Sequence, residues 1–143
     1  MIHGLDTSFL VQVEIAQHPG HETARGQLDE RLDRGDSFAL APQVLAELIH
    51  VVTDPRRFER PLSQAQARRR AEAWWQASEV VQTLPNEHTV PQFLAWLTEH
   101  DLGRKRLLDT LLAATYATNE IDSILTGNAR DFAVFGCFTL VGG

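Results

Sequence analysis

The sequence has few of the features that mark secreted, membrane-spanning or disulfide-rich proteins. Cys137 is the one cysteine among 143 residues, so an intramolecular disulfide is excluded, and its apolar neighbours predict a buried, structural thiol. No apolar run approaches the ~20 residues that a membrane-spanning helix needs. The first residues carry Asp6 and lack the basic start and the small-residue cleavage site of a secretory signal, so we expect a cytoplasmic protein.

Positive charge and several catalytic signatures are also scarce. Thirteen Lys and Arg against nineteen Asp and Glu give a net charge of -6, which disfavours non-specific adhesion to nucleic acid. A nucleic-acid ligand would therefore need local basic clusters, and acids gathered in one place would need bound cations. The histidines show no zinc spacing, and no Gly-x-Ser-x-Gly elbow or Gly-rich phosphate loop is present. A phosphatase of the aspartyl-phosphate type would need a second acid at position 8, where the chain has Ser8.

Strand-like and helix-like apolar patterns alternate along the chain. Five strands alternating with helices predict an α/β fold with a parallel sheet, and the length suits a single domain over residues 1–143. Pro42 suits the first turn of the third helix, and Ser63 is a plausible cap for the fourth. Strands are predicted at 1–5, 37–40, 79–84, 122–126 and 138–141, helices at 7–16, 23–34, 42–53, 63–78, 89–101 and 107–117, and turns at 102–106 and 127–132.

Four acids lie just after a predicted strand or within the first two turns of a helix: Asp6, Glu47, Asp109 and Asp131. Because ligands of parallel sheets bind beyond the carboxyl ends of the strands, we expect these acids to converge there. Taken alone, Asp6 could cap a helix, Glu47 could be solvated, and Asp109 could complement a helix dipole. Clustered carboxylates persist only when some are protonated or when hard cations such as Mg²⁺ or Mn²⁺ lie among them. Such ions activate water and stabilise a phosphodiester under attack, which is nuclease chemistry.

The segments that carry these acids resemble the PIN-domain ribonucleases, and specifically the VapC-type toxins of bacterial toxin–antitoxin pairs. The resemblance spans nearly the whole chain and implies a three-layer fold with a central, mainly parallel five-stranded sheet flanked by helices. It also implies a Mg²⁺ (or Mn²⁺) site on the four acids, single-stranded or structured RNA as substrate, a small antitoxin partner and a homodimer. The matching segments are Leu5–Ser8, Leu45–Leu48, Leu108–Ala114 and Thr126–Phe132, and Asp54–Phe58 looks like a loop that many such toxins carry.

One position departs from the family pattern. Many relatives have an acid two residues after the threonine, where this chain has Asn128, and the acid comes at Asp131. Asn128 can ligate or hold water but adds no negative charge, so a second ion would be held less tightly. The resemblance implies that the Thr126 hydroxyl orients Asp6, although a plain strand-end residue is the simpler interpretation. Thr7 is expected to have a supporting role.

Basic residues beside the acids are the predicted RNA contacts. Arg104, Lys105 and Arg106 shortly precede Asp109, and Arg130 adjoins Asp131. These side chains could hold the phosphates that flank the scissile bond. A run of bases is more often only a solvated turn, and contact with an acidic antitoxin segment is a third interpretation.

Two other functions fit the same residues. The chain could be a catalytically inactive PIN-like module that binds RNA or protein, with the acids serving only as helix caps. It could also be a structure-specific DNA nuclease, although 143 residues leave little room for elements that grip duplex junctions. Metal-dependent cleavage of RNA in preference to DNA would separate the three functions. The RNA target itself is not encoded in any recognisable motif.

Overall fold

The computed structural model describes residues 1–142 and has a five-stranded sheet in which every paired strand is parallel. The strand order is β3-β2-β1-β4-β5. The chain fills one half of the sheet first and then crosses to the other, so the order reverses between β1 and β4, where a crevice for ligands forms. The strands are β1 Ile2–Leu5, β2 Ser37–Leu40, β3 Val80–Gln82, β4 Ser123–Leu125 and β5 Thr139–Val141.

Helices flank the sheet in two groups, which confirms the predicted α/β architecture. The first four helices pack in succession around α1 and α3, whereas α5 packs against α6 and α6 against α7. Over the described residues the helices are α1 Thr7–Glu14, α2 His21–Asp33, α3 Pro42–Val52, α4 Gln64–Gln76, α5 Thr89–Glu99, α6 Leu107–Thr118 and α7 Ala129–Ala133. None of them is long and apolar enough to cross a membrane.

Local sequence explains where two of these helices begin. Pro42 occupies the first turn of α3, where its missing N–H is not needed. The side chain of Ser63 accepts a hydrogen bond from the Gln66 amide at 3.1 Å, and the Gln66 side chain accepts one from the Ser63 amide at 2.9 Å. This reciprocal capping box starts α4.

Three predictions need correction. Residues 127–132 were predicted as a turn, but buried Phe132 anchors the short helix α7 there. The turn predicted at 102–106 is present and includes a 3₁₀ turn, Arg104–Arg106. The 107–117 helix was predicted to be buried, and Thr110 and residues 112–116 are buried, but Leu107 and Leu108 in its first turn are exposed. Cys137 is exposed, because its neighbour Phe135 takes the inward position against Trp96, with ring centroids 4.6 Å apart.

A glycine in β1 fixes how closely α6 lies against the sheet. A Cβ at Gly4 would stand 2.6 Å from the ring of Tyr116, which is completely buried. The Tyr116 hydroxyl donates a hydrogen bond to the Leu5 carbonyl at 2.6 Å. The close approach and this hydrogen bond set the position of α6 relative to the end of β1, and therefore of Asp109 relative to Asp6.

Candidate active site

The four acids from separate segments line one cleft of about 630 Å³. Asp6 follows β1, Glu47 lies on α3, Asp109 is in the first turn of α6 and Asp131 is on α7. Thr7 and Asn128 line the same cleft. The structure therefore brings together the acids that the sequence placed at strand and helix ends.

Asp6 is held by hydroxyl groups and does not cap a helix with its side chain. It is the N-cap residue of α1, but its carboxylate makes no capping hydrogen bond. Its Oδ2 accepts hydrogen bonds from Ser8 Oγ at 2.6 Å and from Thr126 Oγ1 at 2.7 Å. The Thr126 contact is the one that the family resemblance implied. Burial raises the pKa of Asp6, and the hydrogen bonds from Ser8, Thr126 and the Thr7 backbone oppose that rise.

Ser8 connects Asp6 to the loop after β4, and the sequence did not single it out as a site residue. The Gly127 amide donates to Ser8 Oγ at 2.8 Å, and the Asn128 amide donates to Thr126 Oγ1 at 2.9 Å. The hydroxyls of Ser8 and Thr126 thus accept hydrogen bonds from the loop after β4 and donate hydrogen bonds to the Asp6 carboxylate. The spacing Asp-x-Ser at the start of a helix was a possible signal, but it is equally typical of a simple helix N-terminus.

Burial, together with nearby negative charge, raises the pKa of two other acids. Burial together with repulsion from Asp6, Asp131 and Glu47 raises the pKa of Asp109 to about 6, while Arg106 opposes the rise. Burial, aided by Asp6, also raises the pKa of the half-buried Glu47, and a hydrogen bond from Gln43 opposes it. These shifts are those expected of carboxylates that are buried and lie close to one another.

The predicted basic contacts occupy different environments. The Arg106 guanidinium donates to the backbone carbonyl of Asp131, and its Nε lies 3.8 Å from an Asp109 carboxylate oxygen. Arg106 therefore contacts two of the four acidic residues and stabilises their arrangement. Arg104, Lys105 and Arg130 are exposed and do not line the cleft, whereas Arg57, from the loop after α3, does line it.

The oxygen atoms that line the cleft suit a hard cation that keeps some of its water better than an ion enclosed by all four acids. Within residues 1–142, no three His, Cys, Asp or Glu side chains are arranged to hold one ion, as expected when bare carboxylates repel one another. Mg²⁺ commonly binds through one or two carboxylates and keeps several waters. Thr7 Oγ1, at the edge of the cleft, is buried and has no hydrogen-bond partner among the described residues. A buried oxygen without a partner at the cleft edge fits such an ion.

Comparisons with known proteins identify relatives of the sequence and of the fold. Ribonuclease VapC24 of Mycobacterium tuberculosis is 28% identical over 141 residues, covering 92% of this chain and 90% of the relative. The structure of VapC20 from M. tuberculosis, described as a Sarcin-Ricin loop cleaving toxin, superposes with a TM-score of 0.71 at 21% identity and full coverage of both chains. VapBC2 from Rickettsia felis, bound to a promoter DNA fragment, gives a TM-score of 0.71 at 20% identity, covering 100% of this chain and 99% of that one. The PIN domain family model matches residues 5–136, and the chain therefore belongs to the PIN domain family.

Proposed function

We propose that the protein is a metal-dependent endoribonuclease that acts as the toxin of a toxin–antitoxin pair. The observation that carries the proposal is the convergence of Asp6, Glu47, Asp109 and Asp131 on one cleft where their charges repel one another. The similarity to ribonuclease VapC24 and to VapC20 supports RNA as the substrate.

The four acids would hold hydrated Mg²⁺ (or Mn²⁺), some by direct ligation and the others through bound water, with Asn128 and Thr7 as supporting oxygen donors. When bound, the ion supplies Lewis acidity toward water and toward a phosphate oxygen. Ser8 and Thr126 fix the orientation of Asp6 through their hydroxyl hydrogen bonds. Burial and repulsion raise the pKa of Asp109 to about 6, and a bound cation would offset that repulsion.

The basic side chains divide between two roles. Arg104, Lys105 and Arg130 are exposed and free to hold phosphates on either side of the scissile bond. Arg106 is only 27% exposed and is held against Asp131 and Asp109, so its role is to position those acids.

The proposed partners follow from the proteins that the fold is similar to. VapBC2 from R. felis and VapBC-1 from nontypeable Haemophilus influenzae superpose with TM-scores of 0.71 and 0.68, and a structure described as a toxin–antitoxin complex from Klebsiella pneumoniae superposes with a TM-score of 0.64. We therefore propose a small antitoxin as the cognate partner, a homodimer as the assembly, and the cytoplasm as the site of action.

Cleavage assays on matched RNA and single-stranded DNA test the proposed activity. The purified protein should cleave RNA when Mg²⁺ or Mn²⁺ is added and should stop when EDTA removes the ion. Preferential cleavage of DNA would identify a DNA nuclease. Metal-dependent RNA binding without cleavage, under conditions where the protein is folded, would identify an inactive binding module.

A further inference from the structure

The cleft extends beyond the acids to a second wall that metal chemistry does not use. Two loops form this wall: one follows α1 and contributes Gln17 and His18, and the other follows α3 and contributes Arg57 and Phe58. Phe58 is half-buried, and it packs against the core while it also lines the cleft. An aromatic ring shared between core and cleft is a fixed apolar surface beside an acidic site.

Hydrogen bonds hold the loop that carries Phe58. The Asp54 carbonyl accepts from the amides of Arg57 and Phe58, each at 3.2 Å, and Asp54 Oδ1 accepts from the Arg56 amide at 2.9 Å. The Arg57 guanidinium lies 3.4 Å from the other Asp54 carboxylate oxygen. The loop closes where the Leu62 amide donates to the Val52 carbonyl at 2.8 Å. The loop backbone and the core-packed ring of Phe58 are therefore placed before any ligand binds, with the Arg57 guanidinium beside them.

The two loops are also joined to each other. Gln17 Nε2 donates to the Arg60 carbonyl at 3.1 Å, which links the loop after α1 to the loop after α3. His18 Nδ1 accepts a hydrogen bond from the Gly20 amide at 2.9 Å. In the neutral imidazole this leaves Nε2 as the N–H donor. The wall thus combines an aromatic face, a ring N–H and a guanidinium.

We propose that this second wall is a base-binding subsite, in which one unstacked nucleobase of single-stranded RNA lies against Phe58. His18 and Arg57 would donate hydrogen bonds to the edge of that base. Unstacked RNA bases are commonly recognised by stacking on aromatic side chains and by hydrogen bonds to their edges. A neutral base also suits a wall that adjoins four acids better than a phosphate does, because the acids repel an uncompensated phosphate. The inference rests on the proposed ribonuclease function and adds the determinant of base preference.

The alternative role of Phe58 is core packing or contact with a protein partner. Leu keeps most of the apolar packing of Phe but lacks the aromatic face, so Phe58→Leu tests stacking, and Phe58→Tyr should restore it. Phe93 on α5 offers a matched control, because it is also half-buried and packed against the core but does not line the cleft. Phe93→Leu should alter packing without altering RNA binding.

Binding should be measured with each variant in the Asp109→Asn background, which prevents cleavage. The probe is a pool of short single-stranded RNAs of randomised sequence, each carrying 2-aminopurine at one position. The fluorescence of 2-aminopurine falls when that base stacks on an aromatic ring. We expect Phe58→Leu to weaken binding about 5- to 100-fold and to abolish the quenching, while Phe58→Tyr and Phe93→Leu match the parent. In the cleavage-competent background, sequencing the RNA ends should show a weaker nucleotide preference at one position for Phe58→Leu.

Equal affinity, quenching and nucleotide preference for Phe58→Leu and Phe93→Leu would overturn the subsite and assign the ring to packing or protein contact. If Phe58→Leu melts well below Phe93→Leu, His18→Ala decides the question instead. We expect the His18→Ala variant to bind the RNA several-fold more weakly, and unchanged RNA binding would overturn the proposal. Failure of the proposed function has a different signature, because the wild type itself would then cleave no RNA in Mg²⁺ or Mn²⁺.

Discussion

At the scale of single residues, the site depends on two hydroxyls that hold one carboxylate. Thr126 could be predicted because the family resemblance gave it a role, and its 2.7 Å hydrogen bond to Asp6 agrees with that role. The role of Ser8 could not be predicted, because its hydrogen bond with the Gly127 amide joins residues that are 119 positions apart in the sequence. Arg106 was predicted to grip RNA, but the backbone of α7 gives it a partner that no local pattern indicated.

Ser8→Ala should lower the rate of RNA cleavage about 10- to 100-fold, because ligands lose function when the groups that orient them are removed. The stability cost should be only about 1 to 2 kcal/mol, since Thr126 still donates to Asp6. Ser78→Ala is the control, as the exposed Ser78 also donates to a carboxylate, that of Glu79, at 3.0 Å. Equal cleavage by the two variants would remove Ser8 from the site. Cleavage rates and urea unfolding provide both readouts.

Asp109→Asn should stabilise the metal-free protein at pH 8. The pKa of Asp109 is about 6 in the folded state, above its ordinary 3.8, so the folded state binds the proton more tightly. The contribution of Asp109 to wild-type stability therefore falls as pH rises from about 4 to 6 and stays lower above that range. Allowing for the partial exposure of Asp109, the Asp109→Asn substitution should raise the free energy of unfolding by roughly 1 to 2 kcal/mol at pH 8. This increase should shrink toward zero near pH 4.

Urea unfolding in EDTA at both pH values measures that gain. Asp29→Asn, which changes an exposed acid on α2, should show little difference at either pH. A destabilised Asp109→Asn protein at pH 8, or a gain that is equal at both pH values, would show that charge repulsion does not govern Asp109.

At the scale of secondary structure, most elements were predictable and their docking was not. Strand and helix positions follow from apolar spacing, which is a local property. The five-residue helix α7 is too short to show a helical period, so residues 127–132 resembled a turn. The wall that contains Phe58 depends on a hydrogen bond between Gln17 and Arg60, two loop residues 43 positions apart. Sequence spacing carries no information about such contacts.

Gly4→Ala should destabilise the fold by about 1 to 3 kcal/mol, because the added methyl group would collide with the buried ring of Tyr116. Moving that ring would also shift α6 and so reduce RNA cleavage. Gly26→Ala on α2 is the matched control: a Cβ there meets nothing within 4 Å, and alanine favours a helix. Thermal or urea unfolding of both variants distinguishes them. A Gly4→Ala protein as stable as the Gly26→Ala protein would mean that Tyr116 does not fix the position of α6.

At the scale of the whole molecule, an acidic chain must hold an acidic substrate. The net charge of -6 means that attraction has to come from a few exposed bases near the cleft. Replacing Arg104 and Lys105 together by Ala should lower the salt slope of RNA binding by about two units if each contacts one phosphate. Arg106→Met should lower cleavage with little change in that slope, because Arg106 is held by α7.

The salt series should be run in the Asp109→Asn background to prevent cleavage. Arg25 and Arg34 on and beside α2 are exposed bases outside the cleft, and replacing both by Ala gives a control that loses the same charge. Slopes that match between this control and the Arg104 and Lys105 variant would assign the 104–106 turn to solvent or to the antitoxin.

A titration of RNA cleavage with Mg²⁺ and Mn²⁺ shows whether the four acids, from separate segments, hold one catalytic cation centre. The initial rate should be measured for the wild type, for Asp6→Asn, Glu47→Gln, Asp109→Asn and Asp131→Asn, and for the surface control Asp29→Asn. We expect each cleft variant to lose more than about 100-fold in rate or to need far more metal, whereas Asp29→Asn should follow the wild-type curve. Cleavage by the wild type in EDTA, or wild-type metal curves for the cleft variants, would contradict this expectation.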